Sequence, residues 1–96
     1  MAKQPTPITT YRLTDHTQLE MARRQISPAE VASVLAAPEH TECMREGRAV
    51  YHSRIELGEP GKTYLLRAVV DIDRQPPAVV AVYRRSQVQK YWRSEA

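Results

Sequence analysis

Apolar and polar residues alternate with a period of two from Arg48 to Leu57. Ala49, Tyr51, Ser53, Ile55 and Leu57 fall on one face, and Val50, His52, Arg54 and Glu56 on the other. This is the pattern of a strand with two different faces. Upstream the period changes. Leu19, Ala22 and Ile26 recur at helical spacing, with Met21 widening the stripe, and Thr14 or Asp15 stands ready to cap a helix running to about Gln25. A second helix follows at once. Ser27 is its N-cap, Pro28 occupies the first turn where a missing N–H costs nothing, Glu30 completes a capping box, and Ile26 and Val31 hold the staple positions. Val31, Val34 and Leu35 form its buried face and Pro38 stops it.

The remaining segments read as strands. Ile8–Leu13 is short and rich in β-branched and aromatic residues, and His40–Arg45 is weaker and ends at a Glu46-Gly47 turn. Lys62–Ile72 is apolar on both faces, as a central strand would be, and lies between the Gly58–Gly61 and Asp73–Pro77 turns. Ala78–Arg84 is the last strand. The predicted order is β-α-α-β-β-β-β, an α+β fold with an antiparallel sheet and two helices packed on one face. Residues 1–7, with Pro5 and Pro7, are expected to be a disordered lead-in, residues 8–93 a single domain and residues 94–96 a tail.

Composition narrows the function classes. A chain of 96 residues holds one modest core, so a site must lie on an edge or on the sheet face away from the helices. The net charge of +3 is unevenly spread: residues 1–24 carry a balance of +2, residues 25–61 of −3 and residues 62–96 of +4. Such segregation steers polyanions to one surface. Cys43 is the sole cysteine, which rules out an internal disulfide, and His40 three residues before it is not enough for a metal site. The opening residues have no apolar stretch of a secretory signal, and no apolar run approaches the ~20 residues of a membrane span. A cytoplasmic protein without metal, membrane or small-molecule cofactor is expected.

The chemistry-bearing residues sit at both ends of the chain. The last strand runs directly into Tyr83, Arg84, Arg85 and Ser86, then Lys90, Tyr91 and Trp92. These cations and aromatics suit phosphates and stacked bases. His16 lies in the first turn of the first helix, with Arg23 about 20° from it on a helical wheel and Glu20 about 40°. An imidazole beside a guanidinium suits acid–base work at a phosphate, although a lone histidine is more often structural. Arg67 shares a strand face with Leu65, Val69 and Asp71, and a guanidinium there requires a carboxylate or a phosphate. Glu56 or Asp71 could pair with it internally. Arg48 and Arg54 lie on the neighbouring strand, where His52, Arg54 and Glu56 make a second acid–base set ranked below His16.

Several of these residues also carry a family resemblance. His16-x4-Met21-x2-Arg24-x-Ile26-Ser27 with Val31 and Val34-Leu35, then Gly47-Arg48-x-Val50-Tyr51, Tyr64-Leu65-Leu66-Arg67-x-Val69-Val70, and Val82-Tyr83-Arg84-x-Ser86 with Lys90-Tyr91, resemble domain of unknown function 4258. The likeness covers roughly residues 8–93. That family looks like a branch of the RelE/ParE/BrnT toxin superfamily, which implies a RelE-like fold, and many members of that superfamily cut RNA without a metal. The chain departs from the family pattern at Ala81, where Thr is usual, at Gln87, where Lys is usual, and at Gln25, where Gly is common.

The expected function is therefore RNA binding by a toxin-like protein of a toxin–antitoxin type system, with metal-independent endoribonuclease chemistry as the enzymatic form of that role. In it His16 serves acid–base catalysis, and Arg24, Arg67 and Arg84 stabilise the phosphate with help from Tyr83 and Lys90. Arg23, Arg48, Arg54, Arg85, Ser86, Tyr91 and Trp92 extend the nucleic-acid surface. The alternative is a non-catalytic module on the same fold that docks an antitoxin-like protein or a nucleic acid, duplex DNA included. The nuclease form requires the His16 imidazole and the sheet guanidiniums to converge on one phosphate-sized pocket.

Overall fold

A computed structural model describes residues 6–58 and 60–86. Its elements are β1 (Arg12–Leu13), α1 (Asp15–Arg24), α2 (Pro28–Ala36), β2 (His40–Arg45), β3 (Arg48–Leu57), β4 (Lys62–Asp71) and β5 (Ala78–Arg85). The predicted order of elements holds. The sheet has five strands in the order β1-β5-β4-β3-β2. Strands β2 to β5 form an antiparallel meander, but β1 joins β5 in parallel, so the sheet is mixed rather than wholly antiparallel. The predicted first strand is also shorter than expected. Ile8 donates its N–H to the Leu35 carbonyl at 2.8 Å, tying the lead-in to α2, and ladder pairing with β5 starts only at Arg12.

Both helices begin as their sequences dictate. Thr14 caps α1 by accepting the Thr17 N–H, and the Ser27–Glu30 capping box is complete, with Glu30 N–H donated to Ser27 Oγ and Ser27 N–H to Glu30 Oε1. The buried face of α1 differs from the expected stripe. Thr17 and Met21 are buried, whereas Leu19 is 57% exposed and Ala22 is exposed too. The cause is the helix's seat on β5: Thr17 Oγ1 donates to the Val79 carbonyl at 2.7 Å, which turns the Thr17–Met21 edge inward.

α1 ends in a Schellman motif. Gln25 is left-handed at φ 56°, the Ile26 N–H reaches the Met21 carbonyl at 2.9 Å, and both Ile26 and Met21 are buried. A β-carbon at this left-handed position costs about 1 kcal/mol relative to glycine. Gln25→Gly is accordingly expected to raise unfolding free energy by about that amount, read as a higher urea midpoint with an unchanged slope.

The main core lies between helices and sheet. Met21, Ile26, Val31, Val34 and Leu35 pack on Ala49, Tyr51, Leu66, Ala68, Val70, Val79 and Val82. The strand residues in that set lie opposite one another in the ladders, Ala49 with Val70 and Tyr51 with Ala68 for example, which identifies the helix-covered face. Gly47 at the β2–β3 turn has φ +82°, and a β-carbon there would come 2.5 Å from Asp73 Oδ2, so a side chain at this turn would strain the backbone and displace the Asp73 carboxylate.

The opposite face is not a bare polar surface. Val50, His52 and Leu65 are each at most 2% exposed there, and Val69 is 8% exposed. No helix among the described residues is long and apolar enough to cross a membrane.

Candidate functional site

Ladder register decides which side chains meet. On the face away from the helices, His40 pairs with His52, His52 with Arg67, and Arg67 with Tyr83. Two imidazoles, a guanidinium and a phenol thus form one row across four strands. The adjacent row joins Arg54, Leu65 and Arg85. The Arg67 Cζ lies 5.4 Å from the Tyr83 ring centroid and the Arg85 Cζ 4.6 Å, both within cation–π range. Arg67 and Tyr83 are half-buried, while Arg85 and Ser86 are exposed.

His52 is the buried member of the row, 1% exposed, with the His40 ring edge-on at 5.6 Å between centroids. Burial first, then the Arg67 guanidinium and His40, hold its pKa below the ordinary imidazole value, with Glu42 acting weakly the other way. The resulting neutral imidazole keeps a second positive charge out of a buried position beside Arg67.

The other predicted site residues are distributed elsewhere. His16 is exposed at the start of α1, in the layer on the opposite side of the sheet from Arg67 and Tyr83. Arg23 and Arg24 both pair with Glu20, at 3.3 and 2.8 Å, and these ion pairs lower the Glu20 pKa. Arg84 also points to the helix side. It donates to the Arg24 carbonyl at 2.7 Å and the Gln25 carbonyl at 3.3 Å, satisfying the end of α1, and its Cζ lies 5.9 Å from the Tyr64 ring. Eight residues of helix rise about 12 Å between His16 and Arg24. Arg84 therefore belongs with helix capping rather than with His16. Arg84→Met is expected to lower stability by roughly 1 kcal/mol through loss of these bonds and of a cation at the negative end of the helix, checked by urea denaturation.

Arg48 is held by Asp71 at 2.7 Å, and Arg54 by Glu39 at 3.0 Å. Each carboxylate is pushed below its usual pKa, chiefly by the hydrogen bond from its arginine. Asp71 thus serves Arg48, and Arg74 at 3.6 Å, rather than Arg67 as the strand pattern had allowed. Lys90, Tyr91 and Trp92 lie outside the described residues. Among the described residues, His16 and the sheet guanidiniums do not converge as a His16-centred nuclease requires. His16, Arg24 and Arg84 lie on the helix side, and Arg67, Tyr83 and Arg85 on the other.

His40 is the residue that sequence reasoning missed as a member of this row. A regular hairpin closed at Arg45 and Arg48 would set His40 opposite Ser53. An irregularity between Cys43 and Arg45 shifts it by one, onto His52. Among the described residues no group of three or more His, Cys, Asp or Glu is placed to hold a metal ion.

Architecture and site together describe a small α+β domain with a cationic, aromatic row on the sheet face away from α1 and α2. The chain belongs to the DUF4258 family, a domain of unknown function, whose match spans residues 13–84. No curated protein and no solved structure matches it.

Proposed function

We propose that this protein binds single-stranded RNA through the sheet face turned away from its helices, with Arg67, Tyr83 and Arg85 at the centre of contact. The observation that carries the reading is the placement of two guanidiniums about one phenol ring, at 5.4 and 4.6 Å. A guanidinium offers a planar fork of donors to phosphate oxygens, and a tyrosine ring offers a stacking platform for a base. The positive balance of the C-terminal third supplies longer-range attraction. A toxin-like role on cytoplasmic RNA, held in check by a protein partner, is the setting that the family resemblance suggests.

The reading stops at binding. Attack by a 2′-hydroxyl needs a base, an acid and a cation within reach of one phosphate. His16 is on the far side of the sheet from Arg67, and the His52 imidazole is 1% exposed.

Fluorescence anisotropy with a labelled single-stranded RNA tests it. Arg85→Ala and Tyr83→Ala are each expected to weaken binding about tenfold, in line with the ~1–3 kcal/mol of a stacked base or a charge-assisted contact. Arg85→Ala should also reduce the slope of log affinity against log salt by about 0.7. His16→Ala should bind as the wild type does and leave the RNA uncut. Unaltered affinity in both Arg85→Ala and Tyr83→Ala, or failure of the wild type to bind, overturns the reading.

A further inference from the structure

We infer that two copies of this chain associate edge to edge through β2, antiparallel, about a twofold axis passing beside Cys43. β2 is the last strand of the sheet, and among the described residues its ladder partner is β3 alone. Five of its six residues are exposed, and Met44, one of the large apolar side chains left at the surface, is 56% exposed. An edge of this length is a template for another strand.

Charge identifies the strand that fits. β2 carries Glu42 in its first half and Arg45 at its end, so a second copy running antiparallel sets the acid of each against the base of the other. A parallel copy would set like on like. Residues directly opposite in a ladder share a sheet face, so a twofold axis normal to the sheet must pass beside one residue paired with itself.

An axis at Glu42 puts two carboxylates face to face, which is destabilising. An axis at Thr41 leaves Met44 and Arg45 outside the paired segment. At Cys43 the Met44–Arg45 irregularity falls opposite Glu42 of the other copy. Cys43 pairs with Ala49 and Arg45 with Arg48, so one residue of β3 faces two of β2. That places Arg45 on the same face as Glu42, and the two side chains meet across the junction while Met44 is covered.

Cys43 is exposed and its thiol is free. In this register the two Cys43 Cα atoms lie about 4.5–5.5 Å apart, inside the span a disulfide bridges. The proposed RNA-contact residues Arg67, Tyr83 and Arg85 lie on β4 and β5, with β3 between them and this edge, so the association is tested apart from RNA binding.

Sedimentation equilibrium of the intact reduced chain reads the outcome. The wild type is expected to be dimeric at ~100 µM and to dissociate on dilution. Glu42→Arg should raise the dissociation constant about tenfold, because the twofold axis doubles the effect of one substitution, and adding Arg45→Glu to it should restore association. Diamide should give a covalent dimer reversed by dithiothreitol in the wild type, and much less of it in Glu42→Arg. A wild type that stays monomeric at ~100 µM, or a dimer indifferent to both Glu42→Arg and the charge swap, overturns the inference.

Discussion

Lowering the pH from about 7.5 to about 5 is expected to destabilise the fold through His52, above the range in which the arginine-paired Glu20, Glu39 and Asp71 lose their contribution. The His52 pKa is depressed in the folded chain by burial and by Arg67 and His40, against a weaker opposing pull from Glu42. In the unfolded chain it returns to about 6.5, so between the two values the unfolded state binds more protons. Stability from this group is complete above about pH 6.5 and falls as the pH drops toward the folded value, by about 1.4 kcal/mol for each unit of depression.

Glu20, Glu39 and Asp71 have the same sign but a lower window. Their folded pKa values are depressed by arginine partners, so their contribution is lost below their ordinary values of 4.5, 4.5 and 3.8. Urea midpoints measured from pH 8 to 4.5 check the separation, and His52→Gln should flatten the upper part of that curve. A wild-type curve that is level between pH 7 and 5 would remove His52 from the account.

Leu35→Ala is expected to cost about 2–5 kcal/mol, well beyond the effect of Gln25→Gly or Arg84→Met. Leu35 is fully buried in the cluster that joins α2 to β3 and β4, and its carbonyl receives the Ile8 N–H at 2.8 Å. Truncation leaves a cavity under the helix and loosens the anchor of the lead-in. Against a total of roughly 5–15 kcal/mol for a domain of this size, such a loss leaves the variant marginal. Thermal melting and urea denaturation measure it. A loss under ~1 kcal/mol would mean that the helix layer can collapse onto the sheet and refill the space.

The site was only half legible. Arg67, Tyr83 and Arg85 could be singled out from strand pattern and charge, because a cation in an apolar strand and cations beside an aromatic are visible in one dimension. That Arg84 turns away from its two neighbours was not visible. It follows from alternation only once the face of β5 is known. Its work at the end of α1, through the Arg24 and Gln25 carbonyls, joins residues some sixty positions apart. His16 looked apt because helical spacing gathers it with Glu20 and Arg23, but spacing within α1 carries no information about which side of the sheet α1 covers.

Local patterns by themselves determined the order of the elements, both helix starts, the turn at Gly47 and the two faces of β3, since each depends on interactions within a few residues. No local pattern marked the left-handed end of α1 at Gln25; only the family resemblance, in which Gly is common there, pointed to it. Tertiary structure alone decided the parallel seat of β1, the inward edge of α1 and the membership of the His40–His52–Arg67–Tyr83 row. Two ladder irregularities are the physical reason for much of this. One between Cys43 and Arg45 shifts His40 by one residue, and one opposite Val69 and Val70 reverses the alternation of β5, bringing Val79 onto the face of Val82 and Arg84. A strand's alternation has a period of two, so a single extra residue exchanges its faces, and whether that residue is accommodated depends on the partner strand rather than on its own neighbours.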